Sequence, residues 1–246
     1  MVTKVKGEKT FLWRFLAGIV IPILLLLGRY RFRNSERIPA TGPIIIAPNH
    51  YSNIDPLVSA YAVWRTGRVP RFLAKSSLFK VPVLGAALRG TGQIPVERAG
   101  ATAGHDPLGA ASALVSDGLA VIVYPEGTLT RDPDMWPMRG KSGAVRLALQ
   151  HDVPIVPFAH WGAQSILPRY SKRLSLFPRK NVEGVFGPPV DLSPWKDKPL
   201  NAVNLNAATN AVMQAITALV EELRGEKAPA ERWDPSKHGQ TDIGRF

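Results

Sequence analysis

The chain has 246 residues, 45% of them hydrophobic, with 31 Lys and Arg against 19 Asp and Glu, a formal charge of +12 and no cysteine. At roughly 150 residues per domain this length suits one large domain or two small ones, and 21 Gly and 22 Pro spread along the chain exclude a disordered, collagenous or multi-span membrane protein. Lack of cysteine excludes a disulfide framework, thiolate metal sites and a cysteine nucleophile, which leaves covalent catalysis to Ser, Thr, Lys or a carboxylate.

The charge is concentrated at the start. Residues 1–37 carry Lys4, Lys6, Lys9, Arg14, Arg29, Arg31, Arg33 and Arg37 against Glu8 and Glu36, half of the net excess. These groups flank an uncharged run at residues 15–28, FLAGIVIPILLLLG. That run is shorter than the roughly 20 apolar residues a spanning helix needs, and Pro22 would kink it. Arginine follows it directly with no small-residue cleavage site, which argues against a cleaved signal peptide. Basic groups around apolar surface gain about 1 kcal/mol each from anionic lipid. Residues 1–37 are therefore predicted to be a membrane-associating helical segment; a buried core helix is the alternative.

Past residue 37, strand and helix signals alternate. The turn Thr41-Gly42-Pro43 precedes a β-branched strand at 44–47, and a helix at 56–65 has Asp55 as its candidate N-cap and Pro56 at its first position. Further strands are predicted at 71–74, 93–96, 119–124, 154–158 and 182–186, with helices at about 106–117 and 141–150. The rhythm predicts an α/β fold with a mixed, largely parallel sheet flanked by helices. Val212, Ile216, Leu219, Val220 and Leu223 recur at helical spacing before Gly225, the expected cap. Residues 226–246 are polar, broken by Pro229, Pro235 and Gly239, and read as an irregular tail. The division is thus 1–37, a catalytic unit at 38–225, and the tail.

Asn49-His50-Tyr51-Ser52-Asn53-Ile54-Asp55 sets a histidine and an aspartate five residues apart after a strand. On one helix they would point about 140° apart and on one strand to opposite faces, so only a strand-to-helix turn brings them together. An aspartate on one ring nitrogen fixes the tautomer and frees the other nitrogen to take a proton from a hydroxyl. On spacing alone Asp55 serves equally as a helix cap and His50 as a loop residue. No G-x-S-x-G elbow, P-loop, G-x-G-x-x-G fingerprint or H-E-x-x-H site accompanies the pair. A base without a protein nucleophile suggests that the activated hydroxyl belongs to a substrate. A second constellation, Tyr124-Pro125-Glu126-Gly127-Thr128-Leu129-Thr130-Arg131, again follows a strand and offers backbone N–H groups to an anion. In a parallel sheet Lys75, Arg98, Arg139 and Lys141 gather at the same edge, which suits a phosphate-bearing substrate. Each alone reads as a solvated surface charge.

These segments resemble the glycerolipid acyltransferase family typified by bacterial 1-acylglycerol-3-phosphate acyltransferase. The N-H-x4-D block is Asn49–Asp55, and G-x-I-P-V-x-R is Gly92-Gln93-Ile94-Pro95-Val96-Glu97-Arg98. F-P-E-G-T-R-S is similar to Tyr124-Pro125-Glu126-Gly127-Thr128-Leu129-Thr130, a later K-x-G is Lys141-Ser142-Gly143, and the short strand with a proline is Ile155-Val156-Pro157-Phe158. Residues 71–85 also resemble the family segment between the first two blocks, and 128–144 look most like actinobacterial members. The likeness covers roughly residues 40–160. Leu129 departs from the family's arginine, so that phosphate contact is either absent or supplied by Arg131.

The resemblance implies transfer of a fatty acyl group from acyl-coenzyme A, or acyl carrier protein, to a hydroxyl of lysophosphatidic acid or glycerol 3-phosphate in phospholipid biosynthesis. His50 is then the general base and Asp55 its partner. Lys75, Arg98, Arg131 and Lys141, with the backbone at Gly127 and Thr128, bind the acceptor, and Glu126 places it. No cofactor or metal is expected, acyl-coenzyme A being a co-substrate, and the enzyme sits on the cytoplasmic face of the cell membrane, peripheral or monotopic. Basic residues Arg169, Lys172, Arg173, Arg179 and Lys180 extend the membrane face or meet the coenzyme's phosphates. A thioesterase shares the first half-site, and a non-catalytic protein docked on anionic membrane explains the first segment and the charge. The isoelectric point of about 10.2 also suits a nucleic-acid binder, but no aromatic platform is interleaved with the basic residues.

Overall fold

The computed structural model of the protein describes residues 9–96 and 107–240. In chain order the elements are α1 (Phe11–Leu27), β1 (Gly28–Arg33), β2 (Ile44–Pro48), α2 (Asp55–Arg65), β3 (Pro70–Lys75), α3 (Pro82–Gly90), β4 (Ile94–Val96), α4 (Pro107–Ser116), β5 (Ala120–Ile122), α5 (Gly143–His151), β6 (Ile155–Trp161), α6 (Ala163–Ile166), β7 (Lys180–Phe186) and α7 (Ala202–Arg224). The strands form one sheet in the order β1-β7-β6-β2-β5-β3-β4. Every neighbouring pair is parallel except β6 with β7, which gives the mixed, largely parallel sheet that the alternating pattern predicts.

Strand β2 lies at the centre, and its composition explains why. All five of its residues are buried, as befits a parallel strand covered on both faces. Ile45 and Ala47 join the layer with α5 and α7, through Leu147, Ala148, Val212, Met213 and Ile216. Ile44 and Ile46 point the other way, to Ala62 and Val63 of α2, because successive side chains in a strand alternate faces. Full burial of each such side chain contributes about 1.5–3 kcal/mol, so β2 is fixed in register from both sides. Helix α7 starts at Asn201, whose side chain accepts from Asn204 N, and ends at Gly225 with φ of 68°, the cap its sequence announces.

Three segments differ from their sequence reading. The apolar N-terminal run is followed directly by a strand. It ends at Leu27, and β1 then pairs in parallel with β7 from Gly28 opposite Lys180 to Arg33 opposite Val185. Arg29, Arg31 and Arg33 are exposed on β1, while Tyr30 and Phe32 turn inward and meet the Tyr61 ring at 5.5 and 5.6 Å. Helix α1 runs through Pro22 and packs Leu24 and Leu27 against Val58 of α2 and Ile166 of α6. No helix among the described residues is long and apolar enough to cross a membrane. Secondly, α2 begins at Asp55 with Ile54 in the cap position, so Asp55 is not the N-cap. Its carboxylate turns back to the preceding turn instead. Thirdly, the tail is irregular in backbone yet docked: Arg139 N donates to Trp233 O, Arg139 pairs with Asp234 at 3.1 Å, and Trp233 stacks on His238 at 3.6 Å. A short 3-10 turn, Pro235–His238, completes it.

Candidate active site

Parallel strands β6, β2 and β5 are neighbours, so their carboxyl ends share one edge, where ligands of open α/β sheets bind. β2 delivers Asn49 and His50 there, β5 delivers Tyr124 to Glu126, and β6 delivers His160. Lys75 ends β3 at the same edge. Arg98, two residues past β4, and His105 lie outside the described residues.

The turn between β2 and α2 closes on Asp55. Its buried Oδ2 accepts from Tyr51 N at 2.5 Å, Ser52 N at 2.7 Å and His50 Nδ1 at 3.0 Å. Two backbone donors hold the carboxylate in place, and the third bond fixes the His50 tautomer with a proton on Nδ1. Nε2 is left as the ring's acceptor, on a side chain 14% exposed. The Tyr124 ring lies 4.3 Å from the His50 ring, and its hydroxyl donates to Ser59 Oγ. This arrangement can take a proton from a hydroxyl while Asp55 balances the resulting imidazolium.

The blocks of sequence are tied to one another through main chain. His50 N donates to Glu126 Oε1 at 3.0 Å, and Thr130 N donates to His50 O at 2.8 Å, so both backbone groups of His50 are held by the loop after β5. Glu126 Oε2 also accepts from Met138 N. Burial pushes Glu126 up to about 8, against the pull of its bonds from Met138, His50 and Thr130. With no exposed surface and both oxygens engaged, its carboxyl group holds two loops together. Asn49, which sequence reasoning assigned no part, forms a reciprocal pair with the His160 backbone: Nδ2 donates to His160 O at 3.1 Å and Oδ1 accepts from His160 N at 2.9 Å. Such an amide clasp across non-adjacent segments has no signature in spacing.

Beside these loops is a cleft of about 340 Å³ whose lining includes Glu126, Thr128, Arg131, Arg139, Lys141 and Asp234. Gly127 has φ of 69°, and a Cβ there would lie 3.2 Å from Lys141 Cδ, so the lysine chain runs across the glycine. Leu129 is buried, 6% exposed, and is not among the lining residues; Arg131, two residues on, lines the cleft although only 2% exposed. The structure thus brings Glu126, Thr128, Arg131 and Lys141 to one cleft and His50 and Asp55 to the adjoining turn. Among the described residues no group of three or more His, Asp or Glu could hold a metal ion.

A family model described as Acyltransferase matches residues 29–161, which holds every block assembled above and begins in β1. The chain belongs to the acyltransferase family. Curated relatives of this acyltransferase include the chloroplastic 1-acyl-sn-glycerol-3-phosphate acyltransferase of Brassica napus, 31% identical over 56% of this chain and 38% of that protein. The Bacillus subtilis 1-acyl-sn-glycerol-3-phosphate acyltransferase is 27% identical over 86% of this chain and 98% of that one. The chain spans about two fifths of the length of the Brassica napus and Arabidopsis thaliana chloroplast relatives. The crystal structure of the 1-acyl-sn-glycerophosphate acyltransferase of Thermotoga maritima shares the fold, with a TM-score of 0.65 and 22% identity over 93% of this chain and 86% of that one.

Proposed function

We propose that this acyltransferase acylates the free hydroxyl of 1-acyl-sn-glycerol 3-phosphate, with acyl-coenzyme A as donor, in phospholipid synthesis. The observation that carries the reading is the His50–Asp55 contact of 3.0 Å at the carboxyl ends of adjacent parallel strands. The names of the Brassica napus and Bacillus subtilis relatives support the substrate class.

In this mechanism His50 Nε2 takes the proton of the acceptor hydroxyl as its oxygen attacks the thioester carbonyl. The imidazolium is held by Asp55. The tetrahedral intermediate collapses, the carbon–sulfur bond breaks, and the thiolate takes the proton back from His50, leaving ester and free thiol without an acyl-enzyme. Arg131 and Lys141 receive the acceptor's phosphate, a charge-assisted contact suited to guanidinium and ammonium donors. The family resemblance adds Lys75 and Arg98 to the residues that bind this phosphate. Glu126 acts through His50, by fixing its backbone.

Helix α1 associates with the cytoplasmic face of the membrane. It presents Phe11, Phe15, Ile19, Ile23 and Leu26 to solvent, at 84%, 55%, 47%, 53% and 64% exposure, spaced to lie on one stripe. With basic groups close by, such a stripe gains both apolar burial and attraction to anionic lipid. A lipid acceptor already resides there.

The test is to incubate the full chain with palmitoyl-coenzyme A and lysophosphatidic acid in liposomes and to follow the lipids by mass spectrometry. The reading predicts phosphatidic acid; release of free palmitate in its place would make the protein a thioesterase.

A further inference from the structure

Asp55 stands between two histidines, and the mechanism above uses only one. His160, on β6, has no exposed surface. Its Nε2 lies 3.7 Å from Asp55 Oδ1, the carboxylate oxygen left over once Oδ2 has taken His50, Tyr51 and Ser52. Asp55 Oδ1 and both His160 ring nitrogens are buried without a hydrogen-bond partner. Three such atoms in one place are unusual, because a buried polar group left unpaired is costly. A movement of about half an ångström turns the contact into a hydrogen bond.

We propose that His160 is a positioning residue for the acyl transfer: its Nε2–H donates to Asp55 Oδ1 and locks the carboxylate's rotation, so that Oδ2 remains on His50 Nδ1. The inference rests on the function proposed above. Its geometry is independent of that function. The Asn49 clasp on both His160 backbone groups fixes where the ring starts, and the Tyr51 and Phe158 rings confine it at 6.1 and 6.0 Å. Burial holds the ring below the usual histidine range, opposed by Asp55 and reinforced by His50. A neutral His160 leaves the single negative charge of Asp55 to balance an imidazolium at His50; a second imidazolium would compete for it.

The titratable and charged groups around the pair come from several elements. His50 and Tyr51 lie on the turn after β2, Tyr124 and Glu126 on the loop after β5, Asp132 further along that loop, and Arg224 at the end of α7 acts on Tyr51. Burial raises both tyrosines well above their usual value, so they stay neutral.

Nitrogen-15 histidine spectra of the full chain test the inference without turnover, with His160→Gln used to assign the His160 signals. The proposal requires a proton on Nε2 of His160 at neutral pH, and a proton on Nδ1 alone overturns it. In assays, His160→Leu should lower kcat about tenfold with the acceptor KM unchanged and move the acidic limb of kcat/KM to higher pH. His160→Gln, which keeps an N–H donor there, should restore most of the loss. Wild-type kcat and pH profile in a folded His160→Leu protein overturn the proposal, as does a loss that His160→Gln leaves unrepaired. If the wild type transfers no acyl group, the functional reading fails, and the tautomer measurement still decides the His160–Asp55 bond.

Discussion

Replacing Asp55 separates its structural duty from its chemical one. Asp55→Ala strands Tyr51 N and Ser52 N in a buried turn, together with the His50 ring. At about 1–3 kcal/mol for each unsatisfied buried donor, the two main-chain groups alone lose on the order of 2–6 kcal/mol, a large share of the stability of an ordinary domain. Asp55→Asn keeps an acceptor oxygen for those donors and removes the charge. Its stability cost is smaller, roughly 1–3 kcal/mol for the change from charged to neutral acceptor. The imidazolium formed during proton transfer then loses its partner, and acyl transfer should fall by about 10²–10⁴-fold. Urea unfolding measures the first quantity, and thiol release from palmitoyl-coenzyme A at saturating lysophosphatidic acid measures the second. An Asn variant within threefold of the wild-type rate would refute the catalytic part, and an Ala variant as stable as wild type would refute the three-bond account of the turn.

Glu126 titrates at about 8 in the folded chain, against a usual value of 4.5. The folded state holds a proton that the unfolded state releases, so the associated stability is complete below pH 4.5 and is lost as pH rises towards 8. That swing is on the order of 5 kcal/mol, and Glu126→Gln should flatten it; parallel pH dependences of the two urea midpoints would count against the buried carboxyl group. Arg131→Gln and Lys141→Gln should each raise the acceptor KM roughly tenfold with kcat nearly spared, and a change confined to the acyl-coenzyme A KM would move these cations to the donor. Phe11→Ser, Phe15→Ser and Leu26→Ser together should weaken sedimentation with phosphatidylglycerol vesicles at least tenfold, with little change in melting temperature because these side chains are exposed. Undiminished sedimentation would remove α1 from the membrane. Deleting residues 1–36 is a poorer test, since it also strips β1 from β7.

What the sequence made legible followed from local signals that agreed with tertiary context. The run at 44–47 is apolar throughout, which only a doubly covered strand tolerates, and it became the centre of the sheet. Gly225 stops α7 for the reason a positive-φ cap predicts. The strand β1 was hidden because Arg29, Arg31 and Arg33 look like a basic flank, although their alternation with Tyr30 and Phe32 has the period of two that marks an exposed edge. Helix α3 escaped notice because Pro82, Gly85 and Gly90 suppress helix signal. In the site, the five-residue spacing of His50 and Asp55 told of a turn, and the same turn showed why Asp55 could not also cap α2: its oxygen was needed one turn earlier. The bonds of Glu126 were hidden for a different reason. A carboxylate in a loop motif looks available, and only the fold reveals that His50 N and Met138 N occupy it. Asn49, His160 and the docked tail at 233–238 act across more than 90 residues of chain, a distance at which spacing carries no information.

The central claim is that His50 draws a proton from a hydroxyl of a lipid acceptor. Thiol release from palmitoyl-coenzyme A in liposomes, with and without lysophosphatidic acid, in wild type and His50→Ala, tests it most directly. The account predicts release that requires both the acceptor and His50, with at least a 10²-fold loss in a folded His50→Ala protein. Acceptor-dependent release that survives the substitution would contradict it.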